Sequence, residues 1–295
     1  MEKRVQFDFE IFFTNGGSLK GEDFRLDLTG DSISDAELID FVVRDLRLSM
    51  VGRWAITGKK IIAKPHKRKA LSPSPEGHRL VDLSHTITEG LVTYKGLPPP
   101  LVCDYLSREE SKAIYAEGTT FQIGKIEMVT NTGTYVDFPY HRYADGEDSA
   151  DVDLDRLADL EAIVIRVPHQ VSKAITEHHL TGYEIRHRAV LIHTGWDAFW
   201  NSPQYYEDNP YLTRAAAEYL RDCSVSLVGI DSHNIDNTAD GARPVHTVLL
   251  GAGIPICEHL CGLDRLPESG FTFTAAPPKF RGVGTFPVRA FARLR

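Results

Sequence analysis

The stretch Asn131-Thr132-Gly133-Thr134-Tyr135-Val136-Asp137-Phe138-Pro139-Tyr140-His141 holds the densest set of chemistry-bearing side chains in the sequence. Pro139 biases Phe138 toward an extended backbone, and β-branched Val136 favours one as well. In extended chain, side chains two apart face the same way. Asn131, Tyr135, Asp137 and His141 share one parity, so the pattern predicts an amide, a phenol, a carboxylate and an imidazole on one face. Gly133 leaves room for another group to approach the backbone. A strand edge followed by a polar loop over 142–148 would carry the same spacing without any chemistry.

Outward from this stretch, apolar strand-like runs recur at Arg79–Leu83, Thr120–Val129, Ala162–Val167, Val190–His193, Val225–Ile230 and Gly253–Cys257. Thr213–Asp222 has helical spacing, with Ala216, Tyr219 and Leu220 on one stripe. Helices leading into buried strands imply an α/β architecture. No G-x-G-x-x-G, Walker A, G-x-S-x-G or H-E-x-x-H pattern occurs, which removes the commonest nucleotide, acyl-serine and zincin readings.

The first 76 residues read separately. Val5, Phe7, Phe9 and Ile11 alternate as in a strand, a turn follows at Asn15-Gly16-Gly17, and a second alternating run occupies 24–30. Ser34 can cap a helix reaching about Ser49, with Leu38, Phe41, Val42 and Leu46 on its inner stripe. A further strand over 55–64 completes a β-β-α-β module. The run Ala70–His78 (ALSPSPEGH) marks a linker, so the expected organisation is a small module over 1–76 and a larger domain over 77–295. Lys59, Lys60, Lys64, Lys67, Arg68 and Lys69 form a basic cluster that reads first as a solvated strand end.

The whole chain has 295 residues, a formal charge of −8, 42% hydrophobic and 25% charged residues. That balance is ordinary for a folded enzyme and excludes global disorder and collagen-like repeats. Net acidity argues against wholesale nucleic-acid binding. The longest nearly apolar stretch, Thr247–Cys257, is broken by glycines and a proline and is too short for a membrane span. No signal peptide is legible at the start, and the four cysteines match no common zinc spacing. A cytoplasmic protein with reduced thiols is expected.

The central stretch resembles the signature of the cyclase family, which includes bacterial kynurenine formamidases and isatin hydrolases: H-x-G-T-H-x-D-x-P-x-H, here N-T-G-T-Y-V-D-F-P-Y-H. Further stretches resemble that family in order: VDLSHTITEGLVTYKGLPPP at 81–100, VLIHTGW at 190–196, LVGIDSHNID at 227–236, PVHTVLLGAGIPICEHLCGLDRLP at 244–267 and FPVRAFARL near the end. The resemblance implies a swivelling β/β/α fold, a small-molecule substrate and a homo-oligomer, dimer or tetramer. It also implies a divalent metal, Zn or Mn, beside a catalytic histidine. Residue by residue, Asp137 matches the metal-bridging aspartate, His141 the general base, and His246 and Glu258 a second pair that some members use to hold metal. Asn131 and Tyr135 stand where the family has two histidine ligands.

Structural zinc sites bind with about 10–16 kcal/mol over four ligands. Two missing imidazoles therefore forfeit about 5–8 kcal/mol, on the order of 10⁴-fold in affinity or more. The expectation is a metal that is absent or weakly held. Regrouping around Asp137, His141, His246 and Glu258 stays open, since two imidazoles and two carboxylates suit Zn or Mn. Without metal, His141 can serve as general base, Asp137 can orient it or hold a water, and Tyr135 and Asn131 can donate to a developing oxyanion.

The first expectation is thus a cyclase-family hydrolase cleaving a C–N or C–O acyl bond of a small, aromatic or cyclic molecule. A metal-free acid/base lyase, isomerase or cyclase on the same scaffold is a second, and a catalytically inactive binding protein a third. Trp196, Phe199 and Trp200, clustered after the VLIHTGW run with Tyr205 and Tyr206, are candidate walls for a planar substrate; core packing explains them equally well. Arg142 and Asp145 are expected to pin the following loop by an ion pair.

Overall fold

A computed structural model describes residues 3–28, 32–46, 48, 50–63 and 79–294. The chain divides into two compact units, residues 1–74 and 75–295. The expected linker with its boundary near residue 76, and the basic cluster from Lys64 onward, lie outside the described residues. Lys59 bonds to the Asp35 carboxylate and, at 3.1 Å, to the Ile33 carbonyl.

In the first unit, β1 (Lys3–Phe13) is the middle strand, flanked antiparallel by β2 (Ser18–Leu28) and β3 (Val51–Ala63), with helix α1 (Asp35–Asp45) joining the latter two. Val5, Phe7, Phe9 and Ile11 bury one face of β1, as their alternation requires, and pack with Leu38, Ile39 and Val42 of the helix. The helix stripe differs from the expected one. Phe41 is 37% exposed and Leu46 42%; Phe41 lies about 100° round from the centre of the buried stripe, and Leu46 falls past the last turn. Ser34 caps the helix: its hydroxyl accepts from Glu37 N (3.2 Å), and the Glu37 carboxylate accepts from Ser34 N (2.8 Å).

The second unit runs β4 (Arg79–Asp82), β5 (Leu101–Leu106), α2 (Arg108–Ser111), β6 (Ile123–Glu127), β7 (Tyr135–Asp137), β8 (Leu160–Arg166), β9 (Ala174–Ile175) and β10 (Ala189–His193). It continues with β11 (Tyr211–Leu212), α3 (Arg214–Asp222), β12 (Leu227–Ile230), α4 (Pro244–Gly251), β13 (Ile256–Glu258), β14 (Phe271–Thr274), β15 (Thr285–Pro287) and β16 (Phe291–Leu294). Nine of these strands form one sheet in the order β15-β7-β13-β12-β10-β8-β14-β16-β4. The four inner strands β13, β12, β10 and β8 are parallel, and the strands outside them pair antiparallel.

Both faces of the parallel core are covered, so its strands are apolar on both parities. Val164, Leu191 and Leu227 point into one cluster with Val136, Phe138 and Phe271. Ile163, Ile165, Val190, Ile192, Val228 and Ile230 point the other way, against Ala216, Ala217 and Leu220 of α3 and Val245 and Leu249 of α4. The fold is α/β, as expected. β5 and β6 pair antiparallel in a separate two-stranded sheet and expose Val102, Tyr105 and Ile126. Among the described residues no helix is long and apolar enough to cross a membrane.

Removing the Ser34 hydroxyl strips the α1 cap, worth about 1 kcal/mol. Ser34→Ala is expected to speed amide hydrogen exchange over residues 37–45 about fivefold, with exchange in β8, β10 and β12 unchanged.

Candidate active site

The register of β7 decides which groups meet. Tyr135 lies opposite Glu258 of β13, and Asp137 lies opposite both Ile256 of β13 and Thr285 of β15. Val136 and Phe138 turn to the other side, into the core beside Cys257. The parity argument therefore holds for Tyr135 and Asp137 only, because β7 is three residues long. Asn131 precedes it in a bend, and His141 arrives through a 3₁₀ turn over Pro139–His141. Phe138 is extended before Pro139 (φ −112°, ψ 165°). Gly133 has φ 68°, and the Ile87 side chain occupies the space where its Cβ would stand. Gly284 lies still closer: its carbonyl accepts from Phe138 N at 2.8 Å, and a Cβ there would overlap the backbone of His141.

By this route Asn131, Tyr135, His141, His246 and Glu258 come to line one cavity of about 380 Å³, together with Tyr94, Leu97, Arg142 and Arg243. The Asp137 carboxylate is fully buried beside them. Its Oδ1 accepts from the Thr285 hydroxyl, which also lies 2.9 Å from His141 Nδ1. A carboxylate can only accept, so the one Thr285 proton goes to Asp137, and the proton between Thr285 and His141 sits on Nδ1. That tautomer leaves the Nε2 lone pair of His141 free. The half-exposed ring turns this nitrogen to within 3.9 Å of Asp137 Oδ1.

His246 enters from the first turn of α4. Asp236 accepts from Val245 N (2.8 Å) and His246 N (3.1 Å), which satisfies the helix start, and binds His246 Nδ1 at 2.6 Å. His246 Nε2 then faces Asp137 Oδ2 at 3.6 Å and Glu258 Oε1 at 3.8 Å, distances of electrostatic contact rather than hydrogen bonding. Burial alone would pull this imidazole's pKa down. The surrounding Asp137, Asp236 and Glu258 carboxylates overcome it and push the value up to about 10. Burial pushes Glu258 up to about 7 although His246 opposes it. Asp236 moves the other way: burial would raise it, but its bonds from His246 and Val245 hold it below the usual range.

The Tyr135 hydroxyl is engaged within the protein. It donates to Glu258 Oε2 (2.7 Å), so it accepts from His259 Nε2 (3.2 Å), and His259 Nδ1 in turn accepts from Tyr205 OH (2.9 Å). The members of this chain are all buried, and burial keeps His259 neutral by holding its pKa well below the ordinary value. Glu258 Oε1 also accepts from Ile235 N at 2.7 Å. The expected oxyanion donor at Tyr135 is thereby committed elsewhere, whereas Asn131 keeps its place on the cavity wall.

The aromatic cluster packs outside this wall. Trp196 is 1% exposed and donates its indole N–H to the Tyr205 carbonyl (3.0 Å); Phe199 lies against Trp196 and His169. Trp200 stacks on His85 with centroids 4.0 Å apart. None of the three lines the cavity, whose aromatic lining includes Tyr94 and Tyr135. Arg142 bonds to Thr247 Oγ1 (3.3 Å) rather than to Asp145. Sequence reasoning missed Thr285, Asp236 and His259. Asp236 closes the D-S-H-N-I-D run and carried some signal; Thr285, 144 residues from His141, carried none.

Three comparisons bear on the chain. Residues 81–237 match the family model described as putative cyclase. The chain belongs to the cyclase family. Its similar relatives include the kynurenine formamidase of Geobacillus thermodenitrificans, 29% identical over 218 residues (72% of this chain and 96% of that protein), and that of Bacillus cereus, 27% identical over 216 residues with the same coverage. A solved structure titled as a potential metal-dependent hydrolase with cyclase activity is 26% identical, with TM-score 0.62 over 74% of this chain and 99% of its own. Isatin hydrolase A from Labrenzia aggregata, at 21% identity and TM-score 0.63 over 74% of this chain and 94% of its own, shares the fold. Among cyclase-family proteins the chain falls with hydrolases.

Two outcomes follow from this geometry for the cyclase-family site. Gly284→Ala is expected to displace the His141 imidazole resonances in ¹H–¹⁵N spectra while those of His193 stay put. The folded state keeps protons on His246 between the ordinary 6.5 and about 10, and on Glu258 and Asp231 up to about 7, where the unfolded chain has lost them. Buried His85, His233 and His259 are held below the ordinary 6.5, and their contribution is lost as pH falls under that value, so stability is fullest near pH 6.5 and falls as pH rises toward about 10. Thermal melts of chelator-treated protein should show that decline, and Asp236→Asn should flatten its upper half.

Proposed function

We propose that the chain hydrolyses the C–N or C–O acyl bond of a small amide, formamide or lactone, aromatic or cyclic in part, with His141 as general base. The observation that carries this reading is the Asp137–Thr285–His141 chain, which fixes the imidazole tautomer so that a basic nitrogen stands at the cavity. The kynurenine formamidase relatives, aligned over nearly their whole length, support the substrate class. In the proposed step His141 Nε2 takes a proton from the attacking water. In this reading the Asn131 amide on the cavity wall donates to the carbonyl oxygen as charge builds, and His246, held by Asp236, supplies positive charge.

The residues fit a divalent ion. Asp137 Oδ2 is buried without a hydrogen-bond partner, and ligand atoms of Asp137, His141 and His246 lie within 4.8 Å of one another. Two imidazoles and a carboxylate suit Zn or Mn, and His246 has the carboxylate partner on its far nitrogen that histidine ligands commonly carry. Asp137 and His246, with Glu258 beside them, would hold the ion. When bound it would polarise the acyl carbonyl and lower the pKa of water. It would also compete with the proton on His246, so its affinity would rise with pH. The same 4.8 Å grouping favours a second reading, in which His141 completes the ligand set and Glu258, on the same wall, takes the proton.

Assay of N-formyl arylamines and aryl lactones, with and without added Zn or Mn, tests the activity. His141→Ala is expected to lower kcat about 10²- to 10⁴-fold. If it retains one ion per chain by elemental analysis, His141 is the base; loss of the ion assigns it as ligand. Undiminished turnover overturns the role altogether.

A further inference from the structure

Residues 85–100 cross the second unit without helix or strand, and Tyr94 and Leu97 from this segment form part of the cavity wall. At its foot His85 N donates to Thr134 Oγ1 (3.0 Å). Further along, the Thr93 hydroxyl accepts from Gly133 N (2.8 Å), the Val92 carbonyl accepts from the Tyr206 hydroxyl, and Lys95 pairs with Glu207 at 3.5 Å where both are exposed. The anchor at the cavity itself is Tyr94. Its hydroxyl donates to the His233 carbonyl (3.2 Å) and accepts from the Asn234 amide, while its ring packs on the His233 imidazole with centroids 4.3 Å apart. One residue, His233, thus holds Tyr94 by backbone and by side chain at once.

His233 is 4% exposed, and its Nδ1 is buried with no hydrogen-bond partner. A neutral ring tolerates this when Nδ1 is the unprotonated nitrogen. An imidazolium carries a proton on both nitrogens and would leave a buried donor without an acceptor. The groups packed round the ring give no relief. Tyr94, Tyr205, Tyr206 and His259 face it with their rings, and the charges felt there are the cations Arg243 and Lys95. An aromatic face attracts a cation but does not accept an in-plane N–H. Burial, Arg243 and Lys95 together hold the pKa of the packed ring down at about 4. Tyr205 and His259 are bonded to each other and fully buried behind the site. The side that can give way is therefore the irregular segment, whose departure takes Lys95 with it and brings water to Nδ1.

We propose that His233 is a pH-sensitive latch on this segment: the neutral ring keeps Tyr94 seated in the cavity wall, and the protonated ring releases residues 86–98 and opens that wall. The latch acts on access to the cavity, takes no part in bond cleavage and does not rest on the hydrolase reading. Its sign follows from linkage. In the released segment the ring returns to the ordinary 6.5, so the released fraction is constant above that value, grows as pH falls below it and levels off under about 4. For one such group the ratio of released to seated segment rises about tenfold between pH 7.5 and 5.5.

Hydrogen exchange of the full chain, read by mass spectrometry at the two pH values and corrected for the intrinsic rate, tests this. Protection over residues 86–98 is expected to fall about tenfold on acidification, while that of β8, β10 and β12 does not fall with it. His233→Gln, which cannot take up the charge, and His233→Phe, which keeps a ring against Tyr94, should each remove the fall. If neither variant folds, wild-type spectra decide: the His233 imidazole and Tyr94 ring resonances are expected to shift together, with one midpoint between about 4 and 6.5. Protection over 86–98 that is indifferent to pH, a fall shared equally by the three core strands, a fall undiminished in the variants, or a Tyr94 ring that stays put while His233 titrates overturns the latch.

Discussion

A fully buried carboxylate oxygen with no hydrogen-bond partner, Asp137 Oδ2, is the constraint around which this site is organised. Burying an uncompensated charge costs several kcal/mol, so something positive must face it. His246 does so at 3.6 Å, and it can only because Asp236 holds its other nitrogen and the start of its helix at once. The three-residue strand β7 is wedged between β13 and β15, and that wedge places Asp137 against Thr285 and Tyr135 against Glu258 in consecutive registers. A one-residue slip of β7 would send both polar groups into the apolar core and bring Val136 to the cavity. Strand register and site chemistry are one requirement.

Much of the fold is legible in residue order because it rests on local alternation and helical spacing. Val5 to Ile11, Ala162–Val167 and Val190–His193 read as strands, and Thr213–Asp222 reads as a helix, found as α3 from Arg214. The face of α1 is harder: Phe41 and Leu46 are apolar and helically spaced, yet only the sheet beneath the helix decides that Ile39 is buried in their place. At the site, the polar stretch 131–141 names its own members, but its parity fails beyond Asp137, since Pro139 starts a 3₁₀ turn that carries His141 back toward the cavity. Thr285, Asp236 and His259 act through pairings made across the sheet, and no local pattern encodes those. The Trp196 cluster shows the opposite limit. An aromatic group after a strand has the same composition whether it walls a cavity or, as Trp196 does, seals the core behind one.

The two departures from the family signature change what the site offers. Asn131 keeps a polar group on the wall without an imidazole's basicity. Tyr135 does more, since its hydroxyl joins Glu258 to His259 and so fills with protein the neighbourhood that another ligand could have used. What remains for an ion is the set centred on Asp137, served by two imidazoles instead of four.

The bonds from Tyr205 through His259 and Tyr135 to Glu258 all point one way. Reversing any one of them forces the others to reverse, so the row behaves as a ratchet with two settings. While it is set toward Glu258, that acid accepts a hydrogen bond from the row and keeps its own negative charge beside His246. The phenol at position 135 thus acts as a coupler at the back of the site, tying the charge of Glu258 to the tautomer of His259.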